Sequence, residues 1–190
     1  MSARLPVHLG WLLVLAWLGP MPAAARAQSA DNPFTKAKVG QWAEYSATIA
    51  GQTMTMRQTL TAKDKKVATV KVELKVGPNA MGASKQEIPL DKPLDFAQLQ
   101  RATSGTQARG KTDVKEINRG QETIDVGGKK YACTWVKFQS KTEVGAQKVE
   151  GTFTVWTSPE APLSGLVRLQ VENSLMQQNL VFELSGSGEK

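Results

Sequence analysis

The chain is poor in the residues that most often carry catalysis or cross-links. It holds one cysteine and one histidine among 190 residues, and an internal disulfide needs two cysteines. His8 lies in an N-terminal segment that we expect to be removed. The remainder therefore cannot form Ser-His-Asp or Cys-His catalytic sites or histidine-ligated zinc. The Asp-Thr-Gly and G-x-G-x-x-G motifs are also missing. We expect a protein that is not an enzyme and that has no metal or cofactor.

The N-terminal segment has the order of a secretory signal peptide. Arg4 precedes an apolar run over residues 9–18, and Ala25-Arg26-Ala27 follows as an A-x-A cleavage site. The alternative is a membrane anchor, which needs about 20 unbroken apolar residues, and prolines interrupt this run. We therefore predict a signal peptide over residues 1–27, cleavage after Ala27, and a periplasmic or secreted product.

The predicted mature chain is mildly basic. Removal of two arginines with the leader leaves 22 basic against 17 acidic residues, a balance of +5. Such an excess favours anionic neighbours, but long-range charge alone selects no partner. The lysine clusters are short and sit where turns are expected. We expect no nucleic-acid partner and no transmembrane span in the mature chain. No cysteine stands just after the apolar run, where a lipoprotein anchor needs one, so such an anchor is not expected.

Alternation of apolar and polar residues with period two dominates the chain after Val39, and it indicates strands with one buried face. Short turns between them, such as Gly51-Gln52 and Gly127-Gly128, imply antiparallel neighbours. About nine strands are predicted, at residues 42–49, 53–62, 68–76, 112–117, 121–126, 131–140, 148–156, 166–175 and 178–184. We expect a mainly β fold, namely a curved, half-barrel-like antiparallel sheet over residues 39–185, with a tether at 28–38 and a flexible tail at 186–190.

Four stretches interrupt the regular pattern. Residues 77–93 are predicted to be a long connection, followed by one short helix at 96–102 and a flexible loop. This insertion is either a lid or a crossover, and the crossover is favoured. Residues 118–120 are predicted to form a turn, and two prolines make residues 158–162 a rigid corner. In the strand at 131–140 the apolar phase changes, through either a bulge near Trp135 or burial on both faces.

Few side chains are candidates for chemistry. Glu116, Glu122 and Asp125 are close in sequence, but Glu122 and Asp125 point to opposite faces of one strand, which favours solvated charges. Cys133 is either a reactive thiol near lysines or a small buried side chain, and we favour burial.

The tryptophans and methionines offer large apolar surface, suited to an acyl-chain cavity and equally to an ordinary core. If the sheet encloses a cavity, residue type and strand face select the following lining residues: Tyr45, Met54, Met56, Val70, Val72, Trp135, Phe153 and Trp156.

One segment resembles a known pattern. Residues 121–126, then Gly128, then Tyr131-Ala132-Cys133, and the run Trp156-Thr157-Ser158-Pro159-Glu160-Ala161-Pro162 through Gly165-Leu166-Val167-Arg168 are similar to a W-x-S-P-E-x-P-x-G-L-V motif of exported bacterial β proteins. In outline those proteins are similar to the periplasmic lipoprotein-carrier (LolA/LolB-like) superfamily. The resemblance implies a curved antiparallel half-barrel around an apolar cavity. This chain departs from the carriers in having one short helix where they use several.

Two functions are compatible with these observations. The first is a non-enzymatic envelope protein that binds an apolar or amphiphilic ligand, such as a lipid or a lipoprotein acyl chain, on the concave face of the sheet. The alternative is a structural or partner-binding module of the cell envelope, with a filled core, an exposed strand edge and an envelope protein as partner.

Overall fold

Nine antiparallel strands form a single curled sheet, which confirms the predicted fold class. The structure, a computed structural model, describes residues 32–96, 111–144, 147–173 and 179–189. The strands are β1 (Trp42–Ile49), β2 (Gln52–Lys63), β3 (Val67–Val76), β4 (Asn79–Pro89), β5 (Lys111–Val126), β6 (Lys129–Val144), β7 (Gln147–Thr157), β8 (Leu166–Asn173) and β9 (Leu180–Gly188). Their order in the sheet is β4-β3-β2-β1-β9-β8-β7-β6-β5.

The sheet consists of two meanders, β1 to β4 and β5 to β9, joined where β1 pairs with β9. This order puts β4 and β5 at opposite edges. The crossover predicted between them, with the lid as its alternative, stays a prediction, because residues 97–110 lie outside the described residues. Residues of β5 also approach β9 although three strands lie between them, because the sheet curls on itself.

The first three predicted strands are confirmed, but the expected long connection at residues 77–93 is wrong. Residues 79–89 form β4, which pairs with β3 from Val67↔Pro89 to Val76↔Asn79. The glycine, alanine and serine in this segment carry little strand propensity, so the alternation is weak. Hydrogen bonds to β3 along its whole length hold this segment as a strand, although its own residue types do not favour one.

A single 16-residue strand, β5, replaces two predicted strands and the turn expected at residues 118–120. Its pairing with β6 continues through this region, with a register shift between Glu116 and Asn118 that leaves Ile117 as the bulge residue. The polar Asn118-Arg119-Gly120 sequence resembles a turn because a bulge interrupts the alternation in a similar way. The predicted count of nine strands is correct because the gain of β4 offsets this merger.

The apolar phase change in β6 arises from burial on both faces. β6 pairs with β7 without a break from Thr134 to Val144, so the other explanation offered for the phase change, a bulge near Trp135, does not apply to this ladder. Two clusters of buried side chains lie on opposite faces of this strand. Cys133 and Trp135 pack in the cluster that contains Trp156. Phe138 packs in the other cluster, where it stacks on Phe153 with ring centroids 4.8 Å apart.

The main core covers the inner face of the sheet, which we define by Tyr45, Leu60, Val70 and Phe153. These four side chains are almost fully buried. Phe34, Leu94 and Leu163 join them from outside the strands and close one end of this core. Burial of so many apolar side chains is the main source of stability here, because the lone cysteine is free and buried.

A second core forms where the β5–β6 hairpin extends beyond the end of β7. Ile124, Val126, Tyr131 and Cys133 of this extension pack with Trp156 and Val167, and Leu184 contacts both cores. The two residues of the hairpin turn, Gly127 and Gly128, both have positive φ, as the predicted turn requires.

The termini of the described domain are packed against the sheet. Of the predicted tether, residues 32–38 are described, and they contain the 3-10 turn Pro33–Thr35 and the buried Phe34. At the other end, β9 continues to Gly188, through part of the expected tail. Several predicted segments lie outside the described residues. They are the leader, the helix except for Phe96, and Lys190 at the end of the tail. Among the residues that are described, no helix is long and apolar enough to cross a bilayer.

Tryptophan rings cover glycines at two places on the outer face. Trp42 pairs with Gly188, and Trp135 pairs with Gly120. A Cβ atom added to Gly120 would lie 2.7 Å from the Trp135 ring, inside van der Waals contact. The Trp135 ring can occupy this position only because Gly120 has no side chain.

We expect Gly120→Ala to lower the free energy of unfolding by about 1–3 kcal/mol, because the Trp135 ring must move from its packed position. Chemical denaturation measures this loss. Gly186→Ala is the matched control, since its Cβ would make an ordinary 3.5 Å contact with Trp42, and its effect should stay within about 1 kcal/mol. Equal stability of Gly120→Ala and the parent would contradict the packing described.

Candidate functional site

A cleft of about 260 Å³ opens at the end of the sheet where β7 ends and β8 begins. We call it the end cleft. Three parts of the chain form its walls: the N-terminal segment, the segment after β4, and the loop between β7 and β8. The described residues that line it are Asn32, Pro33, Lys36, Ala37, Gln41, Pro93, Leu94, Phe96, Thr134, Thr157, Ser158, Pro159, Ala161, Leu163, Ser164 and Gly165.

The loop between β7 and β8, residues 158–165, is a rigid wall of the end cleft. Ser158 N donates to Gly165 O at 2.8 Å, and Gly165 N donates to Pro162 O at 3.1 Å. Gly165 has a φ of 74°, and an added Cβ would lie 3.2 Å from Ser158 O. Glycine is required there by both backbone conformation and space. The corner predicted from two prolines is therefore confirmed, and its own hydrogen bonds hold it.

Ser164 connects this loop to the main core through a buried polar chain. Its hydroxyl donates to Gln58 Oε1 at 3.1 Å and accepts from the Tyr45 hydroxyl at 3.3 Å. All three side chains are almost fully buried. Burial raises the pKa of the Tyr45 phenol well above its ordinary value. The three hydrogen-bonded side chains are therefore uncharged. Next to Ser164, Leu163 has a φ of 55° and is held there by burial in the main core.

The N-terminal wall is fixed by two polar side chains. Asn32 is buried, and its Nδ2 donates to Pro89 O at 2.9 Å and Lys92 O at 3.0 Å. Its Oδ1 accepts from Phe34 N at 3.1 Å. The Lys63 ammonium group donates to Thr35 O at 3.0 Å and also to Ala37 O. These bonds satisfy the ends of the 3-10 turn and join it to β2 and to the segment after β4.

The other polar side chains of the end cleft also have partners within the protein. Thr157 Oγ1 donates to Thr134 O at 3.3 Å, and Ser158 Oγ accepts from Glu160 N at 3.3 Å. Gln41 accepts from Lys38 N and donates to Glu189. Lys36 and Thr134 have partners as well. The cleft therefore offers a ligand mainly apolar contacts.

The structure separates the predicted ligand-binding residues into two groups, neither of which lines the end cleft. Tyr45, Met56, Val70, Val72 and Phe153 belong to the main core, and Met54 packs against it. Trp156 belongs to the second core, and Trp135 packs against that core. Ligand binding by these residues on the concave face stays a prediction.

The candidate acid–base residues are used in separate local contacts. Glu116 forms a two-point ion pair with Arg119, with Nε 2.6 Å from Oε1. Glu122 accepts a hydrogen bond from Trp156 Nε1. Glu122 and Asp125 pair with Cys133 and Lys130, so they alternate faces as predicted. In the described ranges no three Asp, Glu, Cys or His side chains could together hold a metal ion.

Cys133 is a buried side chain of the second core, 3% exposed. Its burial, together with the negative charge of Glu122, raises the pKa of the thiol to about 11. A reactive cysteine needs a lowered pKa and access to solvent. The favoured interpretation, a small buried residue, is the one that agrees with this geometry.

The sequence contained one signal for the end cleft. Seven of its lining residues belong to the run 156–168 that resembles the W-x-S-P-E-x-P-x-G-L-V motif: Thr157, Ser158, Pro159, Ala161, Leu163, Ser164 and Gly165. In the sequence this motif indicated only a corner. The other two walls come from segments that are distant along the chain, and no local pattern places them beside it.

Comparison with known proteins identifies the fold. No family model matches the chain, and no curated protein matches it. One similar solved structure is a putative exported protein with a YmcC-like fold from Bacteroides fragilis. It is 12% identical, with a TM-score of 0.52 over 80% of this chain and 97% of that one. Another is a putative lipoprotein from Parabacteroides distasonis, 13% identical, with a TM-score of 0.57 over 85% of this chain and all of that one. The resemblance predicted from the motif is thus supported at the level of the curved β half-barrel.

We expect Ser164→Ala to lower the free energy of unfolding by about 1–3 kcal/mol, because Gln58 Oε1 and the Tyr45 hydroxyl each lose a buried partner. Denaturation of the parent and the variant measures the difference. Ser185→Ala is the control, since that exposed hydroxyl bonds only to Glu44 O and its loss should cost less. An effect of Ser164→Ala no larger than the control's would show that the polar chain contributes little.

The Cys133 thiol should resist alkylation in the folded protein at pH 8, because only about one thiol in a thousand is ionised when the pKa is about 11. Iodoacetamide labelling followed by mass spectrometry tests this, with the denatured chain as control. The ordinary pKa is 9.0, so this group's contribution to stability is complete below pH 9. It is lost as pH rises towards 11. Rapid labelling of the folded protein at pH 8 would contradict the burial of Cys133.

Proposed function

We propose that this protein is a non-catalytic binding protein of the bacterial cell envelope that holds the apolar part of an amphiphilic ligand, such as a lipid or lipoprotein acyl chain. We place the ligand in the end cleft. The proposal rests on the hydrogen bonds of the polar groups there: each described polar side chain that lines the cleft has at least one partner within the protein.

A cleft of this kind selects ligands by apolar contact. Pro33, Ala37, Leu94, Phe96 and Ala161 are among its lining residues, and each described polar side chain of the lining already has at least one partner within the protein. Apolar contact is therefore the main attraction that the cleft offers. Small-molecule pockets usually measure roughly 300–1,000 Å³. At about 260 Å³ the end cleft lies just below this range, so we expect it to take the apolar part of an amphiphile and to leave the head group outside.

The envelope location is supported by two independent observations. The N-terminal 27 residues have the order of a signal peptide, and one of the two similar structures belongs to a putative exported protein and the other to a putative lipoprotein. The absence of catalysis is part of the proposal. It is supported by the separate local contacts of Glu116 and Glu122 and by the buried thiol of Cys133.

The alternative, a partner-binding module that uses a strand edge, fits the edges less well. Both edge strands carry a bulge, at Met81 in β4 and at Ile117 in β5. Bulges interrupt the row of backbone groups that an added strand would need, and proteins use them to protect sheet edges. The exposed Met81 and Ile117 side chains could still contact a partner, but the edges are poor templates for strand addition.

The proposal predicts that Ala161→Trp abolishes ligand uptake, because the indole fills the end cleft. The full chain is expressed with its leader in a bacterial host and purified from the periplasm without detergent. Native mass spectrometry then detects co-purified lipid, and displacement of a fluorescent fatty acid measures binding. The mass of the protein also reports whether cleavage follows Ala27.

Two further variants make this test decisive. Pro93→Trp fills the cleft from another wall and should have the same effect if Ala161→Trp perturbs the fold. Ala83→Trp, on an exposed position of β4, is the matched control and should bind like the parent. Uptake that survives both cleft variants would place the ligand elsewhere, such as on the concave face. No uptake by the parent, together with capture of one defined envelope protein, would favour the alternative function.

A further inference from the structure

Ser158, at the start of the loop between β7 and β8, has one hydrogen-bonding group that the loop does not use. Its backbone N donates to Gly165 O at 2.8 Å, and its carbonyl oxygen accepts from Ala161 N at 3.1 Å. Its hydroxyl oxygen accepts from Glu160 N at 3.3 Å. A serine hydroxyl also carries one proton to donate, and this proton has no acceptor among the residues that the structure describes.

The position of Ser158 restricts where an acceptor can come from. The residue is 3% exposed, and it is part of the lining of the end cleft. A buried donor that lacks an acceptor is costly, and folded proteins supply one for most such groups. Because the neighbouring groups of the loop are already bonded to one another, the acceptor must come from whatever occupies the end cleft.

We propose, building on the function above, that the ligand of the end cleft is an acyl compound and that the Ser158 hydroxyl donates a hydrogen bond to its carbonyl oxygen. Apolar contact alone does not distinguish an acyl chain from any other hydrocarbon chain. The Ser158 hydroxyl makes this distinction, because it rewards a chain that carries a carbonyl group in ester or amide linkage. Ser158 is then a specificity-determining residue of the site.

The other side-chain donors of the cleft are less suited to this role. The amide protons of Asn32 and the hydroxyl protons of Thr157 and Ser164 are donated within the protein. Gln41 keeps a second amide proton, but its bond to Glu189 is exposed, so water can serve as its partner. Ser158 therefore combines an available proton with burial.

The acceptor should be an uncharged carbonyl group. A buried carboxylate is costly unless a cation pairs with it. Lys36 is a cationic residue of the lining, and it already has a partner within the protein. An ester or amide carbonyl needs only the hydrogen bond that Ser158 offers, so an acyl chain in such a linkage fits the site better than the carboxylate end of a free fatty acid.

The test compares two probes, methyl octanoate and octyl methyl ether, which differ only in that a carbonyl group of the first replaces a methylene group of the second. Displacement of a fluorescent fatty acid from the purified full chain measures each dissociation constant. We expect the parent to bind the ester about fivefold more tightly than the ether, because only the ester offers the Ser158 proton a carbonyl oxygen.

Two variants of Ser158 and one control assign this preference to the hydroxyl. Ser158→Ala should abolish the preference for the ester, and Ser158→Thr, which keeps a hydroxyl, should retain it. Ser158→Ala also removes the bond to Glu160 N, but any loosening of the loop weakens both probes and cancels in their ratio. Ser185→Ala is the matched control, since its hydroxyl bonds to Glu44 O away from the cleft, and its ratio should equal the parent's.

Infrared spectroscopy of carbonyl-labelled methyl octanoate gives a second readout that does not depend on affinity. A hydrogen bond weakens the carbonyl bond, so the stretching frequency of the bound ester should be lower in the parent than in Ser158→Ala. Saturating amounts of each protein compensate for any difference in binding strength. Equal frequencies in the two complexes would show that Ser158 does not donate to the ester.

The outcomes separate this inference from the function on which it rests. If the parent binds the ester and the ether equally, or if Ser158→Ala keeps the parent's ratio, the inference is wrong while binding of apolar chains stands. If neither probe displaces the fluorescent fatty acid and the parent takes up no lipid, the proposed function itself fails.

Discussion

The pairing of β1 with β9 is the constraint on which the rest of the molecule depends. Without it the chain would be two separate meanders, each with an uncovered apolar face. Five residue pairs form this ladder, from Trp42↔Gly188 to Ser46↔Glu183, and a bulge after Glu44 adds curvature where the meanders meet. Tyr45 lies opposite Leu184, so the main core continues across the junction. The paired residues are about 140 positions apart in the chain, and contacts of such long range slow folding.

The sequence predicts strands well where one face is wet and the other is dry. β1, β2 and β3 have this alternation, and tight turns join them in the order found. β4 lacks it because alanine, glycine and serine occupy an edge strand that only β3 specifies. Asn118-Arg119-Gly120 has the composition of a turn, but a partner strand 16 residues long holds β5 extended through it. In both places the local preference is weak, and a long-range ladder of hydrogen bonds determines the result.

The candidate site was harder to predict for a geometric reason. Residue type and strand face correctly found side chains with large apolar surface, and these side chains build the two cores. A cleft is formed where cores end and loops meet, so its lining depends on how distant segments converge. Asn32, Leu94 and Ser164 lie in three such segments, and no periodicity connects them. Only the loop with Pro159 and Pro162 had a local signal. The two prolines predicted that this loop is rigid, but they did not predict that it lines a cleft.

That stiffness connects the fold to the proposed binding. Leu163 adopts a φ of 55°, which disfavours a side chain with a Cβ atom by roughly 1–3 kcal/mol. Burial of its side chain offsets this cost, and the adjacent Ser164 is held by Tyr45 and Gln58 from β1 and β2. The loop is therefore fixed by the first meander, although it belongs to the second. The β1–β9 junction thus does more than close the sheet, because it brings Tyr45 to Ser164 and so determines one wall of the end cleft. A cleft that is formed before the ligand arrives loses little conformational entropy on binding, so this rigid loop would favour the binding proposed for the end cleft.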